Sequence, residues 1–244
     1  MEKIEQTWEV RNFGFLSAEF RFDVKDKPED ISRSVLECKD YPYQVARVPV
    51  GRMDLAYLLQ EYGFKFAETS VKLICSLKKL NLCVEFQEID RHIEVMSADS
   101  EDLKMIYSVI KEGVFSNDKI ALDPKFSIDI SGNRFYHWCR DEVESGQSSV
   151  YVVTYENKKI GFFILKKETN RTANSLLAAL YDKTNSFGLG YSVLYHPIKL
   201  AHEQGYSNIK ASVSSNNISS LKLHLAVGYE ISNMEYVLIK HLER

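Results

Sequence analysis

Residues 185–197, NSFGLGYSVLYHP, sit between an apolar run and a stretch with helical periodicity. Gly188 and Gly190 stand one residue apart, without the third glycine and downstream acid of a dinucleotide fingerprint and without the Gly-Lys-Ser/Thr of a triphosphate loop. The preceding SLLAALY, Ser175 to Tyr181, reads as a strand; a helix follows the glycines to about Gln204, where Gly205 stops it; NIKASV begins the next strand. This order predicts a βαβ unit with two parallel strands. A glycine turn feeding a helix leaves backbone N–H groups pointing outward, backed by the helix dipole, which suits a phosphate; it serves equally as a plain tight turn.

Working outward, SSVYVVTYENKKIGFFILKK holds two β-branched and aromatic runs, Val150 to Tyr155 and Ile160 to Leu165, around the polar turn Glu156 to Lys159, and predicts a hairpin. NNISSLKLHLAVGYE predicts a helix closed by Gly228, and YVLIKHL a last strand. SADSEDLKMIYSVIKE and NRFYHWCRDEVESG predict two amphipathic helices, the first with an N-cap of the Ser-x-x-Ser-Glu kind. MDLAYLLQEYGFKFAETSVKLI predicts a helix ended by Gly63 and then a strand; it echoes SSLKLHLAVGYEISNMEYVLI and raises an internal repeat, or else the same helix-stop chemistry used twice. Lys78 to His92 reads as a strand run leading into a charged connector. A boundary placed near Arg91 gives a smaller amino-terminal α/β domain over 1–91 and a second domain over 92–244.

Composition excludes several classes. The 244 residues are 45% hydrophobic and 27% charged, enough for a sizeable core. The chain has no run of eighteen apolar residues and an acidic, non-apolar start, so neither a membrane span nor a signal peptide is expected, and the expected location is cytoplasmic. Cys38, Cys75, Cys83 and Cys139 form no C-x-x-C pair, and no histidine stands at zinc spacing; inert thiols are expected and no metal. A net charge of −3 without a basic run argues against nucleic acid as a partner.

On the helix near the carboxyl end, Ile218, Leu221 and Leu225 fall at i, i+3 and i+7 and make the expected buried stripe, while Asn217, Ser220 and His224 repeat the spacing on another face. Such a polar stripe is commonly a solvated face; beside a phosphate loop it borders a site. Arg134, Phe135, Tyr136 and Trp138 share the earlier helix, where an arginine can face a sugar diphosphate and the aromatics pack in the core. Pro197 is expected to kink the helix it interrupts.

Asn185-Ser-Phe-Gly188-Leu-Gly190 resembles the acyl-CoA pyrophosphate loop of the GNAT superfamily of N-acetyltransferases, Q/R-x-x-G-x-G/A, with asparagine in place of Gln or Arg. Asn217, Ser220, His224 and Gly228-Tyr229 resemble the family's N-x-x-A-x-x-x-Y-x-x-x-G-F segment, with histidine where tyrosine is common. More distantly, Trp8 to Phe15 and the stretch from FSNDKIALDPKF to NRFYHWCRDEVESG resemble the dTDP-fucosamine acetyltransferase group, although Glu9-Val10-Arg11 replaces its Asp-Ser.

The resemblance implies a mixed α/β GNAT fold and acetyl-CoA as co-substrate, with Asn185, Ser186, Phe187, Gly188, Leu189, Gly190, Tyr191, Asn217 and Ser220 around it. The backbone near Leu180 and Tyr181 would meet the thioester oxygen, and His224 would protonate the departing sulfur. The implied acceptor is a small primary amine, favoured as a nucleotide-linked amino sugar of polysaccharide biosynthesis, with Trp8 and Arg134 on its side of the cleft. A homodimer stays open. So do another amine, such as an amino acid, an antibiotic or a protein amino terminus, and a non-catalytic acyl-CoA-binding module.

Overall fold

The glycine turn joins two parallel strands, as its sequence requires. The computed structural model describes residues 1–29, 31, 40–78, 80, 82, 84–182 and 188–242. In chain order its elements are β1 (Glu2–Gln6), a 3₁₀ turn (Thr7–Glu9), α1 (Val10–Phe13), β2 (Ser17–Arg21), β3 (Tyr43–Pro49), α2 (Met53–Glu61), β4 (Lys65–Ser76), α3 (Val84–Asp90) and β5 (Ile93–Ser97). There follow α4 (Ser100–Lys111), α5 (Ile128–Glu144), β6 (Ser148–Tyr155), β7 (Lys158–Lys167), β8 (Thr172–Leu180), a 3₁₀ turn (Leu189–Tyr191), α6 (Ser192–Glu203), β9 (Asn208–Ser214), α7 (Ile218–Ala226) and β10 (Glu230–His241). The expected hairpin is β6–β7, turning through Glu156 and Asn157 at positive φ.

Ten strands make one sheet in the order β1-β2-β3-β10-β4-β9-β8-β7-β6-β5. Side chains alternate across it. Val152, Phe162 and Ile164 pack with Ile106 and Ile110 of α4 and Cys139 of α5, whereas Val153, Phe163 and Leu165 share a cluster with Val193, Ile198 and Ala201 of α6. Leu55 and Leu59 of α2 cover Phe20, Val48 and Leu238.

The sheet crosses the boundary expected near Arg91. β4 lies between β9 and β10, and β10 lies between β3 and β4, so residues 1–91 do not close a sheet of their own. The arrangement is two-fold in character: β3–α2–β4 and β9–α7–β10 each place their last strand in the other unit's half of the sheet. The helices of both end at a positive-φ glycine, Gly63 or Gly228. The parallel step recurs too, β2 beside β3 and β8 beside β9. The echo read from the sequence thus has a counterpart in the topology.

Two expectations need correcting. Within the run from Lys78 to His92, Val84–Asp90 is the helix α3, not strand, because Phe86 and Ile89 at i, i+3 turn to the same core while alternation at Leu80 and Leu82 mimics a strand. On α7, Ile218 and Leu225 are exposed, at 60% and 43%, and Leu221, Leu223 and His224 turn inward. Pro197 is accommodated within α6, with its side chain buried.

α3 is fixed to α6 through polar groups as well as through Phe86, which stacks on Tyr191 at 4.2 Å. The Tyr191 hydroxyl donates to Asp90 Oδ1 at 3.3 Å, and His196 Nε2 lies 3.1 Å from the same oxygen. Burial outweighs the attraction of Asp90 and pushes His196 down from 6.5 to about 4. Between those values the unfolded chain binds a proton that the folded chain resists, so this contribution is full above pH 6.5 and is lost as pH falls towards 4. Thermal melts across that window should show the loss, and His196→Gln should reduce the slope; an unchanged slope in the folded variant would contradict the assignment.

Candidate active site between two diverging strands

β8 and β9 pair only from Thr172–Asn208 to Asn174–Lys210 and then part. Leu176 is an extra residue against β7, where the register shifts between Ile164↔Leu177 and Leu165↔Ser175. Beyond that bulge the Tyr181 N–H donates to the Ile160 carbonyl at 2.9 Å. Antiparallel alternation therefore turns the N–H and C=O groups of Ala178 and Leu180 away from β7, towards the opening. The expectation that both Leu180 and Tyr181 offer free amides is corrected for Tyr181, whose N–H is taken by Ile160 and whose ring stacks on Phe162.

A cavity of about 760 Å³ occupies this opening. Leu176 to Ala178 of β8 and Ala211 to Ser214 of β9 form its throat, with Asn217, Ser220 and His224 of α7 beside them. Trp8, Glu9, Arg134 and Trp138, with Lys119, Arg47 and Glu68, also line it. The polar stripe of α7 is therefore cavity lining, not a solvated face.

Within that stripe the roles differ. Asn217 caps α7, its Oδ1 accepting the Ser220 N–H at 3.2 Å. His224 is 6% exposed; its Nδ1–H donates to the Ser220 carbonyl at 2.8 Å, and its ring meets Tyr229 edge-on. A carbonyl only accepts, so Nδ1 carries the proton and Nε2 has the lone pair. Burial lowers the pKa of the ring, with the Ser220 carbonyl opposing, and the neutral form is favoured.

Asn185, Ser186 and Phe187 lie outside the described residues. Gly188 has φ 77°, and an added Cβ would sit 3.2 Å from Ile89 Cδ1, so both conformation and contact demand glycine. At Gly190 an added Cβ would stand 3.3 Å from Leu223 Cδ1, which shows how closely the turn approaches α7. Tyr191 is 0% exposed and its hydroxyl also lies within hydrogen-bonding distance of the Phe86 carbonyl, at 3.2 Å, so its side chain is committed to the core.

Of the two acceptor-side residues, Trp8 is 48% exposed against the cavity. Arg134 also lines it, but its Nε–H donates to Glu9 Oε1 at 2.7 Å and Nη1 lies 3.6 Å from Asp118 Oδ2, so the guanidinium expected to face a diphosphate is already held by two carboxylates. Trp138, expected in the core, is 38% exposed and lines the cavity. Missed in the sequence were Glu9, Arg47, Glu68 and Lys119. The available signal was polarity inside strands: Glu68 and Ser70 alternate along β4 and are both buried. Among the described residues no group of His, Cys, Asp or Glu is placed to hold a metal, and no helix is long and apolar enough to cross a membrane.

The profile of the acetyltransferase (GNAT) domain family matches residues 95–244. The chain belongs to the GNAT acetyltransferases, acyl-CoA-dependent N-acetyltransferases with a mixed α/β fold. Among solved structures it is similar to a GCN5-related N-acetyltransferase from Sphaerobacter thermophilus, with TM-score 0.67, 11% identity, and 94% of this chain and 73% of the other covered. A tandem GNAT protein from the clavulanic acid biosynthesis pathway gives TM-score 0.56 at 10% identity over 93% and 76% of the two chains. A glucosamine N-acetyltransferase region of a fungal multi-domain GH3 β-N-acetylglucosaminidase gives 0.65 at 12%, over 93% of this chain and 30% of the other. No curated protein sequence matches the chain. At these identities the structures share the fold.

Glu9 is 2% exposed and holds Arg134 from the amino-terminal turn. Glu9→Gln leaves that guanidinium with Asp118 alone, at a cost on the order of 3 kcal/mol. For a chain of this size that is a melting temperature lower by roughly 6–12 °C. Arg134→Met added to Glu9→Gln should recover part of the loss; a single variant that melts with wild type would contradict the structural importance of the pair.

Proposed function

We propose that the opening between β8 and β9 receives acetyl-CoA and that an amine reaches it on the side lined by Trp8 and Trp138. The observation that carries this reading is the open edge of β8: Ala178 lines the cavity, Leu180 continues the same edge with its backbone groups turned away from β7, and the strand then leads to a helix-initiating glycine turn. Diverging strands suit an extended, amide-containing arm because its groups can replace the missing ladder partner. The backbone N–H groups of Gly188 to Tyr191 would hold the pyrophosphate. Bound there, acetyl-CoA supplies an acyl group activated by its thiol leaving group.

The protein's own groups then do three things. Leu180 offers its N–H to a developing oxyanion, a donor fixed in place by the β7 ladder. His224, neutral and with Nε2 unprotonated, suits taking the proton of the incoming ammonium better than donating one to sulfur; this reverses the direction expected from the family's tyrosine. The walls fix the acceptor, so positioning contributes alongside proton transfer. Trp8, Glu9, Arg47 and Glu68 all come from residues 1–91, which supports an acceptor role for that part of the chain. A nucleotide-linked amino sugar fits the two indole faces, which suit a sugar or base ring.

With His224 as base, His224→Ala should lower kcat roughly 10²- to 10⁴-fold with CoA affinity near wild type. His224→Tyr should not restore turnover, since a phenol near neutrality donates rather than accepts. Normal turnover in folded His224→Ala, or recovery in the tyrosine variant, would overturn this role. For the glycine turn, Gly190→Asp should weaken CoA binding about tenfold or more through charge, while Gly190→Ala, with the same Cβ demand on Leu223, retains most of it. Calorimetry giving wild-type affinity for the aspartate variant would remove the pyrophosphate from this turn.

A further inference from the structure

Most charges around the cavity are already paired. Arg134 lies between Glu9 and Asp118, Arg11 is bonded to Asp141, and Glu142 holds Lys166. Two are not. Lys119 is 9% exposed, lines the cavity, and has no hydrogen bond or ion pair among the described residues. Beside it, Arg47 is itself paired, with Nε 3.0 Å from Glu19 and Nη1 3.6 Å from Glu235 Oε2. Glu68 is 5% exposed, accepts only the Ser214 hydroxyl at 2.5 Å, and has no cation within ion-pair distance among the described residues. A buried charge without a partner is costly, and its desolvation is offset when a ligand brings the opposite charge.

The geometry points to a zwitterionic acceptor: Lys119 holds its phosphate or carboxylate, and Glu68 faces its ammonium group. This rests on the acetyl-transfer reading of the cavity and narrows the acceptor to amines that carry an anion. The neighbours agree with it. Burial, with the positive charges of Arg47 and Arg134, makes the Lys119 ammonium less stable than usual against the opposing pull of Asp118 and Glu68, a condition that an anionic ligand relieves. Glu68, one strand away from Arg47 across Val237, lines the same cavity. A plain ammonium supplies a partner only to Glu68, and a plain anion only to Lys119.

The two tryptophans of the chain, Trp8 and Trp138, both line the cavity, so fluorescence excited selectively at tryptophan reports on its occupancy. With CoA saturating, titration with phosphoethanolamine, β-alanine, ethyl phosphate and ethanolamine separates the charges. Phosphoethanolamine or β-alanine, whichever matches the natural anion, should bind about tenfold or more tightly than ethyl phosphate and ethanolamine, as expected of charge-assisted hydrogen bonds. Lys119→Met should remove the gain from the anion, Lys119→Arg should keep much of it, and Glu68→Gln should remove the gain from the ammonium. Equal affinities for all four compounds, no saturable change with any, or an unaltered preference in folded Lys119→Met would overturn the proposal. CoA binding, measured separately by calorimetry, tells the two readings apart: preserved charge dependence without CoA binding leaves the zwitterion site standing and removes the acetyl-transfer reading.

Discussion

The parallel ladder between β8 and β9 holds for three residue pairs and is then abandoned, although both strands continue. That interruption costs backbone hydrogen bonds inside a ten-stranded sheet, and the rest of the architecture is arranged around it. The bulge at Leu176 bends β8 away, α6 packs beneath the pair, and α7 brings His224 to the opening. On the amino-terminal side the equivalent step does not open. β2 pairs with β3 along its whole length, from Ser17–Tyr43 to Arg21–Arg47, so the two-fold arrangement carries one gap, not two.

The exchange of β4 and β10 explains why the site draws on the whole chain. β10 hydrogen-bonds to β3 and β4, and β4 to β9, so Arg47 and Glu68 are held in the same rigid sheet as Ser212 and Ser214. A side chain carried by a sheet loses little entropy on binding a ligand, which favours the use of buried charge for selection. The cavity lining combines the open edge of β8, one imidazole, two indoles and charges of both signs.

Local patterns carried much of the fold in the sequence. The β6–β7 hairpin, α2 with Gly63, α6 after its glycines and β9 each follow from periods of two or 3.6 residues ended by turn residues. Patterns that depended on a partner misled. Ile218, Leu221, Leu223 and Leu225 leave α7 apolar on several sides, so spacing alone did not fix which stripe faces inward, and the inward side proved to hold His224. Leu80 and Leu82 alternate like a strand before α3 begins. In the site, Asn217, Ser220 and His224 were legible because one helix carries them; Lys119, Arg47 and Glu68 were not, since a loop and two strands far apart in the chain bring them together only through the exchanged sheet.

Hydrogen exchange with and without CoA tests the central claim most directly, because the open edge of β8 has amides with no ladder partner towards β9. CoA should slow exchange at Ala178 and Leu180 and at the turn Gly188 to Tyr191, while β2 and β3, whose ladder is intact, stay unchanged. Protection confined to β2 and β3, or absent from both β8 and the turn at saturating CoA, would contradict the placement of the donor between the diverging strands.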